Sequence, residues 1–285
     1  MNPISKLLGF AAALAAVFGL ATVAGEAIDP DAASGGADET HANDENHVST
    51  TTSSAKSDSP GGLAIAQDGY RLDVADPDFA PGERRELTFR IIGPDGQVVR
   101  NFNEEHQRDL HLIVVRRDLT GYQHLHPEMG ADGTWTTPLE LPEAGTYRAY
   151  ADFSAGETAL TLGADLTAAG DYRPAELPAP KTTASTDGYD VELEDAGEDM
   201  LEFTVTRDGE PVTDLQPYLG AQGHLVAIRG GDLAYLHVHP QETQPGDPTI
   251  PFHAELPTAG SYRMFLQFRH EGEVRTVAFT REVTE

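Results

Sequence analysis

The chain contains no cysteine among its 285 residues. This absence excludes disulfide scaffolds, cysteine-ligated zinc and iron–sulfur sites, thiol catalysis and the cysteine-ligated blue-copper site. Basic residues are few, since 19 Lys and Arg stand against 47 Asp and Glu and leave a formal net charge of −28. A field of that sign repels polyanions and attracts cations, which argues against a nucleic-acid-binding protein. With only 4 methionines, a methionine-rich Cu(I) site is disfavoured.

The first 25 residues have the pattern of an export element. Lys6 precedes a run of uncharged residues, Leu7 to Gly25, that is dominated by Ala, Leu and Val. A short basic start followed by an apolar stretch is typical of a signal peptide, and the length of the run also fits a membrane-spanning helix. We therefore expect residues 1–25 to be a signal peptide or a membrane anchor, and the rest of the chain to be extracytoplasmic, either secreted or anchored.

Residues 26–62 are rich in acidic and small polar side chains and poor in large apolar ones. Such a segment buries too little surface to offset the entropy lost on ordering, so it is predicted to be a disordered acidic linker.

The remainder of the chain repeats itself. Asp68-Gly69-Tyr70 and Asp187-Gly188-Tyr189 each precede an alternating strand pattern, an Asp-Gly turn and a later Ala-Gly-[Thr/Ser]-Tyr-Arg sequence. Short alternating strands with Gly and Pro punctuation, repeated in units of about 100 residues, indicate antiparallel β-sandwiches. The predicted fold is therefore all-β, with two tandem sandwiches at residues 63–168 and 185–285 and a proline-containing connector at 169–184.

Both copies carry the same histidine motif, H-L-x3-R-x5-Y-x-H-x-H-P, which runs from His111 to Pro127 and from His224 to Pro240. In a strand, residues i and i+2 face the same side, so the two histidines of each His-x-His pair share a face. A hairpin with a four-residue loop would place His111 opposite His126, and His224 opposite His239, with Cβ atoms about 4.5–5.5 Å apart.

This pattern predicts one three-histidine metal site in each module. Three imidazoles with a fourth position open suit Zn(II), Cu(II) or Ni(II), and Cu(II) binds most tightly among them. Nitrogens more than about 5 Å apart cannot share one ion without rearrangement. Tyr122 and Tyr235 are expected to support the ligands by hydrogen bonding, and His106 could supplement the first site. The predicted ligands are His111, His124, His126, His224, His237 and His239.

Two other interpretations of the motif remain open. The histidines could form a hydrogen-bond network that stabilises each hairpin, in which case the modules would serve as an interaction protein of the cell envelope. Alternatively, a three-histidine zinc site could activate water in a hydrolase. No repeated general base accompanies the histidines, because Glu128 and Glu242 stand at different distances from the two motifs.

The motifs His111 to Val115 with His124 to Pro127, and His224 to Ile228 with His237 to Pro240, resemble those of a group of exported bacterial proteins. These proteins have paired β-sandwich modules with His-Leu-x-Val-Val and His-Leu-His-Pro motifs and are associated with heavy metals, copper in particular. The resemblance implies immunoglobulin-like or cupredoxin-like sandwiches and a copper role in the cell envelope.

Taken together, these features favour an exported, non-catalytic protein that buffers or delivers copper or zinc. Its expected partners are the metal ion and an envelope protein, with no nucleic acid and with membrane contact through an uncleaved N-terminal helix.

Overall fold

The computed structural model describes residues 60–284 except Glu198, His237 and Pro245. The predicted signal peptide or anchor (1–25) and nearly all of the predicted linker lie outside the described residues. Within the described part every regular element is a β-strand, and no helix there has the length and hydropathy to cross a bilayer. Both predicted sandwich regions belong to a single compact unit, Lys56–Glu285.

Ten strands form the first module, here called module 1. They are β1 (Ala66–Gln67), β2 (Tyr70–Val74), β3 (Asp78–Phe79), β4 (Arg84–Ile92), β5 (Leu110–Arg116), β6 (Gln123–Leu125), β7 (Glu128–Met129), β8 (Trp135–Glu140), β9 (Gly145–Ala155) and β10 (Thr158–Ala168). One sheet has the order β1-β2-β4-β8-β7 and the other has the order β3-β10-β9-β5-β6.

The second module, module 2, repeats this plan. Its strands are β11 (Thr183–Thr186), β12 (Tyr189–Gly197), β13 (Met200–Arg207), β14 (Glu210–Pro211), β15 (Gly223–Arg229), β16 (Tyr235–Leu236), β17 (His239–Pro240), β18 (Thr249–His253), β19 (Gly260–His270) and β20 (Glu273–Val283). One sheet has the order β11-β12-β13-β18-β17 with β14 added to β13, and the other has the order β16-β15-β19-β20.

Two features identify the sandwiches as immunoglobulin-like, which confirms the predicted all-β sandwich class. In module 1 the short β3 runs parallel to β10 beside otherwise antiparallel strands, and the strand order of the two sheets is that of an immunoglobulin domain. A buried tyrosine near the start of β9, Tyr147, donates its hydroxyl to the carbonyl of Glu143 at 2.9 Å. Tyr262 makes the same bond to Thr258 in module 2 at 2.7 Å. This tyrosine corner is typical of immunoglobulin-like sandwiches.

Each module has its own apolar core, to which the predicted alternating strands contribute. Leu87, Phe89 and Ile91 of β4 point into the first core, and Phe203 and Val205 of β13 point into the second. The two-residue hairpin turn predicted at Asp208-Gly209 is present, with both residues in the left-handed region at φ 52° and 83°. Asp-Gly suits this turn because both of its central positions require positive φ.

A third apolar cluster joins the two modules. Along β5, Leu112 and Val114 point into the core of module 1, whereas Ile113 and Val115 point away from it. The outward side chains pack against the corresponding face of module 2, so that the sheets containing β5 and β15 lie face to face. The buried members of this interface cluster are Ile113, Val115, Leu119, Tyr150, Val226, Ile228, Leu233, Tyr235 and Phe265.

The last residues of the predicted linker also lie in this interface. Gly62 donates its backbone N–H to Thr161 of module 1 at 2.7 Å, and the carbonyl of Gly61 accepts from the N–H of Tyr235 of module 2 at 2.9 Å. A Cβ at Gly163 would lie only 1.9 Å from the carbonyl oxygen of Gly62, so the close approach requires a glycine. The chain entering module 1 therefore bridges both modules.

Candidate metal centre between the modules

The candidate site lies at one end of the interface between the modules. His111 is two residues before Ile113 on the outward face of β5, and His224 is two residues before Val226 on β15. Since side chains two apart on a strand share a face, the packing that buries the interface cluster also brings His111 and His224 together. Their rings are stacked, with centroids 5.7 Å apart.

The hairpin of module 1 adds two more rings. Leu112 pairs with Leu125 and Ile113 with His124, a register that extends to His111 opposite His126 as the sequence predicts. The ring centroid of His124 is 5.1 Å from that of His111 and 4.5 Å from that of His224. The ring of His126 is 5.3 Å from His111 and 4.8 Å from His124.

Three of these rings have the spacing that a metal ion requires. One nitrogen from each of His111, His124 and His224 lies within 4.8 Å of the other two. Ligand nitrogens 2.0–2.1 Å from a tetrahedral zinc are about 3.3 Å apart, so small ring movements would bring all three to one ion. The cluster takes two rings from module 1 and one from module 2.

Hydrogen bonds outside the cluster fix the tautomers of two rings. His111 Nε2 lies 3.0 Å from the carbonyl oxygen of Glu105, and because a carbonyl only accepts, Nε2–H donates to it. His124 Nδ1 lies 2.7 Å from Gln267 Oε1 and likewise donates. The amide nitrogen of Gln267 is itself directed at the hydroxyl of Thr276, at 3.2 Å.

These tautomers leave two lone pairs facing each other. A neutral imidazole has one N–H, so His111 Nδ1 and His124 Nε2 are both acceptors, yet they are 2.9 Å apart. Beside them His224 Nδ1 is buried and has no hydrogen-bond partner among the residues that the structure describes. With the amide of Gln267 in this orientation, the arrangement needs a proton or a metal cation between the rings. A ring that binds a metal through one nitrogen and donates its other N–H to a carbonyl is the usual pattern of histidine ligation.

Burial keeps the rings neutral and so disfavours the proton. Loss of hydration lowers the pKa of His124 to about 3, and it lowers the pKa of His126 to about 4, with the neighbouring His111 adding to the latter effect. Burial also lowers the pKa of His111, and it lowers that of His224 well below the usual range with help from His124. Neutral imidazole is the form that binds metal ions.

The histidines of module 2 differ from the sequence prediction. The strand after the turn ends at Leu236, and the chain then crosses to the other sheet with Val238 buried in the module core. His239 therefore does not stand opposite His224; it is exposed and pairs with His253 across β17 and β18. His237 lies outside the described residues.

Of the predicted supporting tyrosines, Tyr122 stacks on Phe265 of the other module with centroids 4.1 Å apart. Tyr235 packs on Tyr150 across the same interface at 5.3 Å. Burial raises the pKa of both tyrosines well above the usual range. Tyr122 packs beside the cluster, whereas Tyr235 also hydrogen-bonds with Asp152, the residue opposite His111 in the sheet.

Gln267 contacts the candidate site, and the sequence motif does not reveal it. It lies on β19 opposite His224 in the register of the sheet, and Asp152 holds the same place opposite His111 in module 1. One signal in the sequence points towards this interface. The apolar runs after His111 and His224 lack the alternation of a strand with one solvated face, which indicates burial on both faces.

Similar sandwiches occur in solved structures of bacterial surface proteins. The Escherichia coli adhesin FdeC is 14% identical over 76% of this chain and 65% of that one, with a TM-score of 0.26. Yersinia pseudotuberculosis InvD is 12% identical over 77% and 58%, with a TM-score of 0.27, and invasin, a bacterial integrin-binding protein, is 12% identical over 74% and 39%, with a TM-score of 0.23. The chain thus spans less than two thirds of each of these structures.

No curated protein matches the chain. A family match covers residues 65–170 and again residues 183–285, which are the two sandwich modules. The chain therefore belongs, through both of its modules, to the family described as Domain of unknown function (DUF8832).

Proposed function

We propose that this protein is an exported, non-catalytic metal-binding protein that holds one Zn(II) or Cu(II) ion between its two modules. The observation that carries the proposal is the meeting of two ring nitrogens, His111 Nδ1 and His124 Nε2, at 2.9 Å. They lie next to the buried Nδ1 of His224, which has no hydrogen-bond partner in the described part of the chain. An ion at that point would be coordinated by both modules, so its binding would also join them.

The chemistry of the donor set limits the choice of metal. Neutral imidazoles suit Zn(II) and Cu(II), and among divalent ions Cu(II) binds such sites most tightly. The net charge of −28 favours the approach of a cation. The basic start and apolar run of residues 1–25 support export, so the ion would be buffered or delivered in the cell envelope.

A second candidate is an interaction module of the envelope in which the histidines are structural. If the amide of Gln267 were turned by 180°, it would donate to His124, His124 would donate to His111, and His111 would donate to Glu105. That chain satisfies every group in it without an ion. Of the structures named above, FdeC is described as an adhesin and invasin as an integrin-binding protein, although their likeness to this chain concerns the fold alone.

One observation favours the metal over this second candidate. Among the described residues His224 Nδ1 is buried without a partner, and it stays so whichever way the amide of Gln267 points. An orphaned buried nitrogen costs about 1–3 kcal/mol, which a bound ion would offset at His224. A hydrolase is less well supported, because the hydrogen-bond partners of the rings are a backbone carbonyl and an amide, neither of which is a general base.

Titration of the full chain with Zn(II) and Cu(II), monitored by calorimetry, tests the proposal. We expect tight uptake of one equivalent, lost in His124→Ala and retained in the control His253→Ala, whose histidine lies on the far sheet of module 2. No uptake by the wild type, with unchanged thermal stability, would contradict metal binding and support the interaction module.

A further inference from the structure

Two short turns meet beside the histidine cluster. In module 1, Glu105 and Arg108 exchange backbone hydrogen bonds of 2.8 and 3.0 Å around His106 and Gln107, which have φ values of 51° and 64°. This is a type I′ turn, in which both central residues adopt left-handed conformations. In module 2 the equivalent turn, from Tyr218 to Ala221, has Leu219 and Gly220 at its centre, with φ values of 56° and 84°.

The turn of module 1 lacks the usual glycine. Gln107 stands where module 2 has Gly220, and the left-handed conformation strains such a residue because of its Cβ. Gln107 lies against Gly220 itself, since a Cβ built there would be 3.8 Å from the Gln107 side chain. The strained turn of one module thus rests on the turn of the other.

The same turn presents an imidazole to the cluster. The ring centroid of His106 is 6.2 Å from that of His111 and 6.1 Å from that of His224, edge to face in both cases. Glu105, the first residue of the turn, accepts the hydrogen bond from His111 Nε2. A shift of His111 onto an ion would therefore move the turn with it.

We infer that His106 is the fourth protein ligand of the ion and that its turn closes over the site when the metal binds. The inference rests on the proposed function. His106 lies edge to face with one ring from each module, 6.2 Å from His111 and 6.1 Å from His224, on a turn at the contact between the two modules. The ring of His126 is nearer to its neighbours, at 5.3 and 4.8 Å, but those neighbours, His111 and His124, both belong to module 1. Four imidazoles leave no open position, which is the arrangement of structural and storage sites and not of catalytic ones.

Co(II) substitution in the full chain tests the closed site, because tetrahedral Co(II) absorbs visible light strongly and gains azide only where a position is open. We expect the wild type to bind Co(II) with strong absorption that azide does not change. His106→Asn keeps a residue that tolerates positive φ but removes the imidazole. It should bind Co(II) at least about 10-fold more weakly, since even partners outside the coordination sphere have effects of that size. Its spectrum should also shift with azide.

Gln107→Gly is the matched control, because it relieves the strain of the turn and keeps the imidazole. Its Co(II) affinity should equal that of the wild type, and the melting temperature of the metal-free protein should rise by about 2–4 °C.

The outcomes separate the two proposals. No uptake of Co(II) or Zn(II) by the wild type overturns the proposed function and this inference with it. Uptake by the wild type overturns the inference alone if azide already changes its spectrum, or if His106→Asn keeps full affinity and stays insensitive to azide. An azide response that appears in His126→Ala and not in His106→Asn assigns the fourth position to His126. That result also overturns the inference that His106 is the fourth ligand.

Discussion

The two modules have the same fold and the same histidine motif, yet they contribute unequally to the site. Module 1 brings His111, His124 and His126 together on one hairpin, whereas module 2 supplies His224 and directs His239 to its other sheet. The reason is packing. The modules meet face to face through β5 and β15. The histidine-bearing face of each module therefore lies against that of the other, and the two faces form one cluster. Duplicating a motif does not duplicate a site when the copies cover each other.

The largest expected effect comes from breaking the interface that makes the two modules one unit. Ile113 is fully buried between the modules, so Ile113→Ala should lower the free energy of unfolding by about 2–5 kcal/mol in urea denaturation. Ile65→Ala, at a position that is 52% exposed, should change it by less than about 0.5 kcal/mol. Equal effects at both positions would mean that the modules do not stabilise each other.

The unequal share of the histidines can be tested within module 2. His224→Ala should weaken Zn(II) binding at least about 100-fold, the upper end of what the loss of an outer partner costs. His239→Ala should leave the affinity unchanged, although the sequence motif treats the two residues alike. Competition with a chromophoric chelator measures the Zn(II) dissociation constants of both variants. Loss of affinity in His239→Ala would indicate a separate site in module 2.

The buried rings should make the metal-free protein sensitive to acid. An unfolded histidine has a pKa near 6.5, whereas His124 and His126 have pKa values of about 3 and about 4 in the folded protein. Between these limits the unfolded state binds more protons, so stability is full above about pH 6.5 and falls as the pH drops. The loss is about 1.4 kcal/mol per pH unit for His124 and smaller for the more exposed His126, because solvent screens it. Urea denaturation with chelator at several pH values should show this slope.

Replacing both rings with glutamine should reduce that slope to the part that comes from His111 and His224, whose pKa values burial also lowers. A variant with His124→Gln and His126→Gln that lost stability as steeply as the wild type would place the acid sensitivity elsewhere.

The smallest effect concerns a feature that the modules share. Tyr147→Phe and Tyr262→Phe each remove a corner hydroxyl that makes two hydrogen bonds, one to a backbone carbonyl and one with the Glu143 N–H or the Thr258 hydroxyl. Each change should cost about 1–2 kcal/mol. Because the two modules unfold as one unit in this account, both variants should lower the same single melting transition. Two separate transitions in either variant would contradict that.

Much of the fold could be predicted from sequence because it depends on local patterns. The alternation of β4 and β13, the turn at Asp208-Gly209 and the register of His111 with His126 all follow from period, turn chemistry and loop length. The fate of His239 could not be predicted, since the length of β16 is set by burial of Val238 in the core and not by the motif.

The shared site could not be predicted because it depends on contacts between modules. Nothing local places His224 beside His124, or Gln267 against His124 Nδ1. The apolar runs of β5 and β15 indicate strands that are buried on both faces. They do not indicate which part of the molecule covers the outer face.

Anomalous X-ray diffraction from crystals of the zinc-loaded protein shows whether the two modules share one ion. We predict one zinc peak per chain between the modules, about 2.0–2.1 Å from His111 Nδ1, His124 Nε2 and a ring nitrogen of His224. The absence of a peak there, or two peaks with one in each module, would contradict a single ion shared across the interface.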